Sequence, residues 1–90
     1  MRIEFDQAKD ATNQAKHCVP MSLAAELDWD TLQCLPDTRK DYGEPRMIGY
    51  ALCGQRLYCV VYVDRGNTRR IISLRRANER EVIRYVRSSS

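Results

Sequence analysis

The spacing of apolar residues changes from a helical to a strand-like repeat about halfway along the chain. Near the N-terminus, Ile3–Asp6 is typical of a short strand, and Asp6 can cap a helix that ends near Lys16 and His17. The i, i+3, i+4, i+7 spacing that predicts the buried side of this helix is formed by Ala8, Ala11, Thr12 and Ala15. The first residues therefore predict a strand followed by an amphipathic helix.

A second helix and a polar loop are predicted to follow. Pro20 can occupy the first turn of a short helix, whose inner face is formed by Leu23, Ala24 and Leu27. Residues Pro36–Pro45 are polar, are bounded by prolines and contain Gly43, as is typical of a loop. We therefore expect residues 1–35 to contribute a strand and two helices.

From residue 46 onwards, apolar and polar positions alternate as they do in strands. Gly54-Gln55 has the glycine-first pattern of a two-residue hairpin turn, and Arg65–Asn67 can form a second turn. Residues 46–76 therefore predict a meander of three antiparallel strands.

The last element is predicted to be a helix over residues 78–87. Asn78, with Glu81 three residues later, has the pattern of a capping box. The predicted apolar side of this helix is formed by Val82, Ile83 and Val86. The predicted fold class is α+β, with N-terminal helices and a C-terminal helix packed on a small antiparallel sheet.

The third strand of the meander lies within "RRIISLRRA", Arg69–Ala77, which has two arginines on each side of an apolar centre. Strand alternation predicts one face formed by Arg69, Ile71, Ser73 and Arg75. The other face, with the better core centre, is formed by Arg70, Ile72, Leu74 and Arg76. The first face combines a hydroxyl with guanidinium groups and is a candidate phosphate-binding surface. A rim of arginines that prevents strand-to-strand aggregation would have the same pattern.

Positive charge is concentrated in the second half of the chain. Residues 1–45 contain five Lys/Arg and nine Asp/Glu, a net charge of −4, whereas residues 46–90 contain ten Arg and three Asp/Glu, a net charge of +7. The basic half contains no lysine. Because the guanidinium fork fits phosphate, this bias favours a phosphate-rich partner. The solvated surface of a protein from an arginine-using genome fits the composition equally well.

The composition is that of a small soluble protein. With 90 residues, 43% hydrophobic and 30% charged, the chain is expected to form one domain with a small core. Its longest apolar run, Leu57–Val63, is too short to cross a bilayer, and the N-terminus lacks the apolar stretch of a signal peptide, so we expect a cytoplasmic location. Buried free thiols, rather than zinc ligands or disulfides, are expected at Cys18, Cys34, Cys53 and Cys59.

Several segments, in their order along the chain, resemble one protein family. They are "FDQAK" and "NQAKHCV" near the N-terminus, "EPR" before the meander and "LYCVVYVDRGNTRRIISLRRANERE" in the basic half. Across nearly the whole chain this order resembles the BrnT toxins, small ribonucleases of bacterial toxin-antitoxin pairs with a RelE-like fold. The most specific parts are Lys16-His17 and Arg70–Ala77. A glycine, a polar cap and an alanine of the family pattern are replaced by Cys18, Pro20 and Leu74.

The resemblance implies that RNA is cleaved by attack of the 2′-hydroxyl on the neighbouring phosphate, with no metal ion or cofactor. Arginines can stabilise the developing charge but are poor acids and bases, because a guanidinium keeps its proton up to a pH of about 12. His17, the single histidine, is the candidate for proton transfer, since imidazoles titrate near neutral pH. The alternative for His17 is a structural role at the negative end of the helix dipole.

The candidate site residues are those that match the family's motifs. The candidate catalytic residues are Arg75, Arg65, Arg70, Arg46 and His17. The candidate RNA-binding residues are Arg76, Arg69, Ser73 and Lys16. Support of the sheet is the alternative for Arg70 and Arg76, and a solvated surface is the alternative for Arg46, Arg65 and Lys16. Two roles fit the strand tyrosines: they could stack on bases or pack in the core. These residues are Tyr50, Tyr58 and Tyr62.

Two other functional classes fit the sequence. A non-catalytic nucleic-acid-binding module would neutralise phosphates and leave RNA intact. A structural subunit of a complex would cover its basic face with an acidic partner. The resemblance itself implies an RNA substrate, inhibition of translation and neutralisation by a BrnA-like antitoxin, through whose DNA-binding domain the complex would bind operator DNA.

Overall fold

The computed structural model describes residues 1–89; Ser90 lies outside the described residues. In chain order, the elements are β1 (Arg2–Phe5), α1 (Gln7–His17), a 3₁₀ helix (Met21–Glu26), β2 (Asp28–Pro36), β3 (Met47–Cys53), β4 (Arg56–Arg65), β5 (Thr68–Arg76) and α2 (Glu79–Ser89). The strands form a sheet in the order β1-β5-β4-β3-β2, in which β1 is parallel to β5 and the other neighbouring strands are antiparallel. The fold is α+β, and the predicted meander is formed by β3, β4 and β5.

The structure differs from the prediction for residues 1–35 in two ways. The second, short helix is present but is a 3₁₀ helix, and Asp28–Pro36 forms the unpredicted strand β2. The pairing of β2 with β3 shifts register between Asp28 and Gln33, so the side chains of β2 do not alternate regularly. β2 is also an edge strand, and Leu35 on it is 69% exposed. An irregular, half-exposed strand lacks the period-2 signal on which sequence prediction depends.

One face of the sheet, the core face, packs against α1 and the 3₁₀ helix. Its buried residues are Val19, Met21, Ala24, Leu27, Ala51, Tyr58, Val60, Tyr62, Ile71 and Leu74. Trp29 packs against this core, with its ring centroid 5.8 Å from that of Tyr62 in an edge-to-face arrangement. The indole N–H of Trp29 donates to the Ala24 carbonyl at 3.0 Å, so its polar atom is satisfied as well.

α1 docks on the core face through a buried polar residue. Asn13 Nδ2 donates to the carbonyls of Val19 (2.8 Å) and Leu74 (2.7 Å), and Asn13 Oδ1 accepts from the Leu74 amide (3.1 Å). The side predicted to be buried is instead exposed: Ala8, Ala11, Thr12 and Ala15. Alanine buries little apolar area, whereas three hydrogen bonds inside the core fix both Asn13 and its helix.

Both ends of α1 lie where the sequence predicts them. The Asp6 carboxylate accepts from the amides of Ala8 (2.8 Å) and Lys9 (3.1 Å), and the helix ends at His17. Cys18 then adopts the left-handed conformation, with φ of 58°. Glycine adopts this conformation without steric cost, whereas a residue with a Cβ is strained there.

A β-bulge in β5 changes the predicted assignment of its faces. Val61 pairs with Ser73 whereas the next residue of β4, Tyr62, pairs with Ile71, so Ile72 has no register partner on β4. The core face therefore receives Arg69, Ile71, Leu74 and Arg76. The opposite face, called the arginine face, receives Arg70, Ser73 and Arg75. The prediction assumed an uninterrupted strand: it assigned the residues from Ser73 onwards to the correct faces, but it placed Arg69, Arg70 and Ile71, before the bulge, on the wrong ones.

α2 attaches to the arginine face by polar contacts. Its predicted capping box is formed: Asn78 Oδ1 accepts from the Glu81 amide and Glu81 Oε1 accepts from the Asn78 amide, both at 2.8 Å. The Tyr85 hydroxyl donates to the Thr31 carbonyl on β2 at 2.6 Å. The predicted apolar side of α2 is not the side that packs on the sheet: the side chains of Val82, Ile83 and Val86 are 38%, 47% and 59% exposed.

Candidate functional site

Four of the five candidate catalytic residues belong to the arginine face. β5 contributes Arg70 and Arg75. Arg65 joins them because it lies two residues after Val63, the register partner of Arg70. Arg46 precedes Met47, which packs on the core, so strand alternation directs Arg46 to the arginine face. Guanidinium groups from two strands and one loop end therefore share one side of the sheet.

Arg75 forms a two-pronged ion pair with Glu81 at the start of α2. Its Nη1 and Nη2 donate to the two carboxylate oxygens, both at 2.8 Å. The same carboxylate accepts from the Tyr50 hydroxyl at 2.7 Å, in addition to the Asn78 amide of the capping box. The side chains of Arg75 and Glu81 are 34% and 9% exposed. α2 therefore buries the carboxylate and leaves part of the Arg75 side chain accessible.

The pKa values in this cluster are shifted by the same contacts. The hydrogen bonds from Arg75, opposed by burial, lower the pKa of Glu81 to about 2, and the pair raises the pKa of Arg75. Burial and the hydrogen bond to Glu81 raise the pKa of Tyr50 to about 12. Burial raises the pKa of the neighbouring Cys59 thiol. At neutral pH the cluster holds one carboxylate and one guanidinium beside a neutral phenol and a neutral thiol.

Carboxylates also engage two other arginines of this face. Arg70 Nη1 donates to Glu4 on β1 at 3.2 Å. Arg65 Nη2 donates to both oxygens of Glu44, at 2.7 and 2.9 Å. The side chains of Arg70 and Arg65 are 27% and 52% exposed, so water weakens these pairs. A carboxylate offers a guanidinium the same two-oxygen geometry as a phosphate, so the carboxylates mark positions that phosphate oxygens could occupy.

Arg46 differs from the other three arginines because its contact is aromatic. Its guanidinium carbon lies 4.0 Å from the ring centroid of Tyr42, in the loop between β2 and β3. Within residues 1–89, Arg46 Nε is buried and has no hydrogen-bond partner. One donor of this guanidinium is therefore left without an acceptor, which is unusual for a buried polar atom.

Arg69 is a structural residue of the core face. Its guanidinium carbon lies 4.7 Å from the Trp29 ring centroid and 4.3 Å from that of Tyr62. Its Nε donates to Asp64 at 2.7 Å, and its side chain is 16% exposed. Stacking between two rings and a carboxylate leaves this guanidinium little freedom to bind RNA.

Of the remaining candidates, Ser73 lies on the arginine face, and the other three lie away from it. Arg76 pairs in register with Tyr58, a core-face residue, and is exposed. Lys16 and His17 lie in the last turn of α1, which docks on the core face. The structure therefore does not bring His17 together with the four arginines of the opposite face.

The tyrosines and cysteines divide between the two faces and the surface. Tyr58 and Tyr62 pack in the core, whereas Tyr50 contacts Glu81 on the arginine face. All four cysteines are free, as predicted, but burial was predicted wrongly for Cys18 and Cys34, which are exposed. Among the described residues, His, Cys, Asp and Glu side chains form no group of three or more that could hold a metal ion.

The carboxylates that hold the site are not evident from the sequence patterns. Glu81 is recognisable as a capping residue, but its contact with Arg75 depends on how α2 turns back over β5. Glu4 reaches Arg70 only because β1 pairs in parallel with β5, across 66 residues of sequence. The one available signal is the string "RRANERE", in which arginines and glutamates alternate across a predicted helix start.

The comparisons with known proteins define the class of this chain. A family model described as "Ribonuclease toxin, BrnT, of type II toxin-antitoxin system" matches residues 5–81. The protein is thus a ribonuclease toxin of a type II toxin-antitoxin system. The chain belongs to the BrnT family.

A solved structure has the same fold. The crystal structure of the Brucella abortus ribonuclease toxin BrnT superimposes with a TM-score of 0.67 at 24% sequence identity, over 88% of this chain and 99% of that one. No curated protein matches the sequence. Among residues 1–89, neither α-helix has the length and apolar character needed to cross a membrane.

Proposed function

We propose that this protein is a metal-independent endoribonuclease whose arginine face binds and cleaves RNA. The observation that carries the proposal is the shared face of Arg46, Arg65, Arg70 and Arg75 in a chain of the BrnT family. Three of these four guanidinium groups already hold a carboxylate, which has the geometry of a phosphate. The fourth, on Arg46, has an unpaired donor within the described residues.

The proposed chemistry is internal transesterification. The 2′-oxygen forms a bond to phosphorus while the bond to the 5′-oxygen breaks, which leaves a 2′,3′-cyclic phosphate and a 5′-hydroxyl. The 2′-hydroxyl gives up one proton and the 5′-oxygen gains one, so no net proton is consumed. Negative charge develops on the non-bridging oxygens, and guanidinium groups on a partly buried face stabilise it.

Arg75 has to exchange Glu81 for a phosphate before it can take part. Its partial exposure gives RNA access to one edge of the pair, and Ser73 on the same strand face adds a hydroxyl nearby. Glu81 would retain its hydrogen bonds from Asn78 and Tyr50 after the exchange, and these would offset part of the cost of losing its cation. The ion pair therefore holds the guanidinium in place for RNA.

His17 is outside this proposed reaction. It lies at the end of α1 on the other side of the sheet, where a basic residue stabilises the negative end of the helix dipole. Three of the candidate RNA-binding residues are also on that side or at its rim. RNA would have to extend around the edge of the sheet to reach Lys16, Arg69 and Arg76.

The family assignment supports a wider role in the cell. We propose that RNA cleavage in the cytoplasm inhibits translation and that a BrnA-like antitoxin neutralises the protein. Binding of operator DNA would belong to the antitoxin half of the complex. A structural relationship to RelE-like ribonucleases is part of the same proposal.

Incubation of the purified protein with single-stranded RNA in EDTA tests the function. We expect cleavage products that end in cyclic phosphate, at the same rate with and without added magnesium. Bound but intact RNA would instead identify a non-catalytic binding module. Cleavage that stops in EDTA and returns with magnesium would contradict the metal-independent mechanism.

A further inference from the structure

α2 carries an apolar stripe that faces away from the protein. The helix contacts the sheet through Glu81 and Tyr85. Its outer side carries three exposed aliphatic residues: Val82 is 38% exposed, Ile83 47% and Val86 59%. Three neighbouring aliphatic side chains left in water on an 11-residue helix are unfavourable for a free monomer, and such patches commonly mark an interaction site.

A row of arginines runs beside this stripe. Arg80, Arg84 and Arg87 are spaced so that they lie on one side of the helix, next to Ile83. Together with Ile83 and Ser88 they line a shallow groove of about 320 Å³. Arg80 and Arg84 are exposed and form no ion pair within residues 1–89, unlike Arg65, Arg70 and Arg75 of the sheet. The stripe and this row together are called the α2 surface.

The chemistry of the α2 surface selects its occupant. A second copy packed around a twofold axis would place arginine rows near one another, which is repulsive. RNA-binding surfaces stack bases on aromatic rings, but the stripe is aliphatic. An amphipathic helix with aliphatic residues on one side and Asp or Glu beside them complements both halves of the surface.

We infer that the α2 surface docks an acidic amphipathic helix of the antitoxin protein. This inference rests on the proposed function only in so far as the partner is an antitoxin. Since Glu81 in the same helix holds Arg75, a partner seated on α2 would also fix the helix over the arginine face. Docking would therefore stabilise the carboxylate-bound state of Arg75 and keep phosphate out.

The test measures the affinity of the free chain for its co-expressed, purified antitoxin by titration calorimetry. We expect Ile83→Ser and Val86→Ser to weaken binding by about tenfold or more, because each removes an aliphatic contact from the centre of the stripe. Arg84→Glu should weaken it by a similar factor at low salt and by less at high salt. Ala11→Ser and Lys9→Glu, at exposed positions of α1 on the other side of the sheet, are the matched controls and should change affinity less than about twofold.

Two further measurements keep the test decisive. The first is the antitoxin affinity of Ile83→Gln, which places a good helix former at this position in case Ile83→Ser unfolds α2. The second is amide hydrogen exchange of residues 79–89 in the wild type, which should slow when the antitoxin binds. The stripe variants should cleave RNA at the wild-type rate without antitoxin. A wild-type chain that binds antitoxin through α2 but leaves RNA intact would contradict the proposed function and not this inference.

Other occupants of the α2 surface would give different results. If every stripe variant bound the antitoxin as tightly as the wild type does, the inference would be overturned. A concentration-dependent dimer that Ile83→Ser abolishes would assign the surface to a second copy. Loss of RNA affinity, or of binding to phosphatidylglycerol vesicles, in the stripe variants with unchanged antitoxin affinity would assign it to nucleic acid or to a membrane.

Discussion

Arg75 has two roles that mutation can separate. Its side chain is the sole cation within the described residues that pairs with the nearly buried Glu81, and it is also a proposed phosphate ligand. An arginine fully in solvent would contribute only about 0.5 kcal/mol to stability. The ion pair raises that contribution, because removal of Arg75 leaves a carboxylate buried without its cation.

We expect Arg75→Ala to reduce RNA cleavage about a hundredfold to a thousandfold, through loss of one donor to the developing charge. It should also lower the free energy of unfolding by about 1–3 kcal/mol. The double variant Arg75→Ala/Glu81→Gln should regain part of that stability without regaining cleavage. Arg84→Ala is the matched control, since it removes an exposed arginine without an ion pair. Equal loss of cleavage in Arg84→Ala would mean that bulk charge, rather than a site, acts on RNA.

Cys18 shows the effect of one backbone conformation. With φ of 58°, this residue is strained in a way that glycine is not. Cys18→Gly should therefore raise the free energy of unfolding by about 0.5–1 kcal/mol, after allowance for the greater freedom of glycine in the unfolded chain. Urea unfolding measures this change. Cys18→Ala keeps the Cβ and removes the thiol, so a gain in that variant would show that the thiol, and not the backbone, is responsible.

At the scale of elements, α2 depends on one carboxylate more than on apolar packing. Glu81 accepts hydrogen bonds from Arg75, Tyr50 and Asn78, whereas the aliphatic side chains of the helix point outwards. Its folded pKa of about 2 lies below the ordinary value of 4.5. Ionised Glu81 therefore stabilises the fold above about pH 4.5, and this contribution is lost as the pH falls towards 2.

From this shift, the attachment of α2 should weaken in acid. Between pH 6 and pH 3, we expect the wild type to lose about 2 kcal/mol of unfolding free energy through Glu81. Asp37 changes stability in the same direction, because the hydrogen bonds that it accepts from Arg39 lower its pKa to about 2. Glu81→Gln retains the Asp37 contribution and so isolates that of Glu81. Urea unfolding of both proteins at each pH gives the free energies. An equal loss of unfolding free energy in the wild type and in Glu81→Gln would contradict the assignment of this loss to Glu81.

At the scale of the molecule, the fold combines charges that the sequence separates. The N-terminal half has a net charge of −4 and the C-terminal half of +7, but Glu4 and Glu44 from the first half pair with Arg70 and Arg65 from the second. RNA must therefore compete with the protein's own carboxylates. Binding should be electrostatic but weaker than the count of arginines alone would indicate.

The salt dependence of RNA binding measures how many phosphates are contacted. If four arginines contact phosphates, log K should fall against log salt with a slope of about −3, from about 0.7 for each phosphate on a single strand. Arg70→Ala should reduce the steepness by about 0.7, and Lys9→Glu on α1 should leave it unchanged. Fluorescence anisotropy with a short labelled RNA gives these slopes. A slope near zero would show that the arginine face does not bind RNA through phosphates.

Local patterns determined much of this protein. Asp6 and the Asn78–Glu81 capping box place the starts of α1 and α2, because a helix cap depends on residues only three positions apart. The meander follows from alternation and from the turns that contain Gly54 and Gly66, both at positive φ. The motifs in the basic half also indicate the BrnT family, which the match to residues 5–81 confirms.

Only the tertiary structure decided which residues meet. The bulge at Ile72 depends on how β5 pairs with β4, and it moves Ser73 and Arg75 to the face of Arg70. Asn13, rather than the alanines, anchors α1, because its partners lie 6 and 61 residues away. The contact between Arg75 and Glu81 likewise requires α2 to fold back over β5. Such contacts depend on long-range pairing and burial, which the local periodicity of a sequence does not encode.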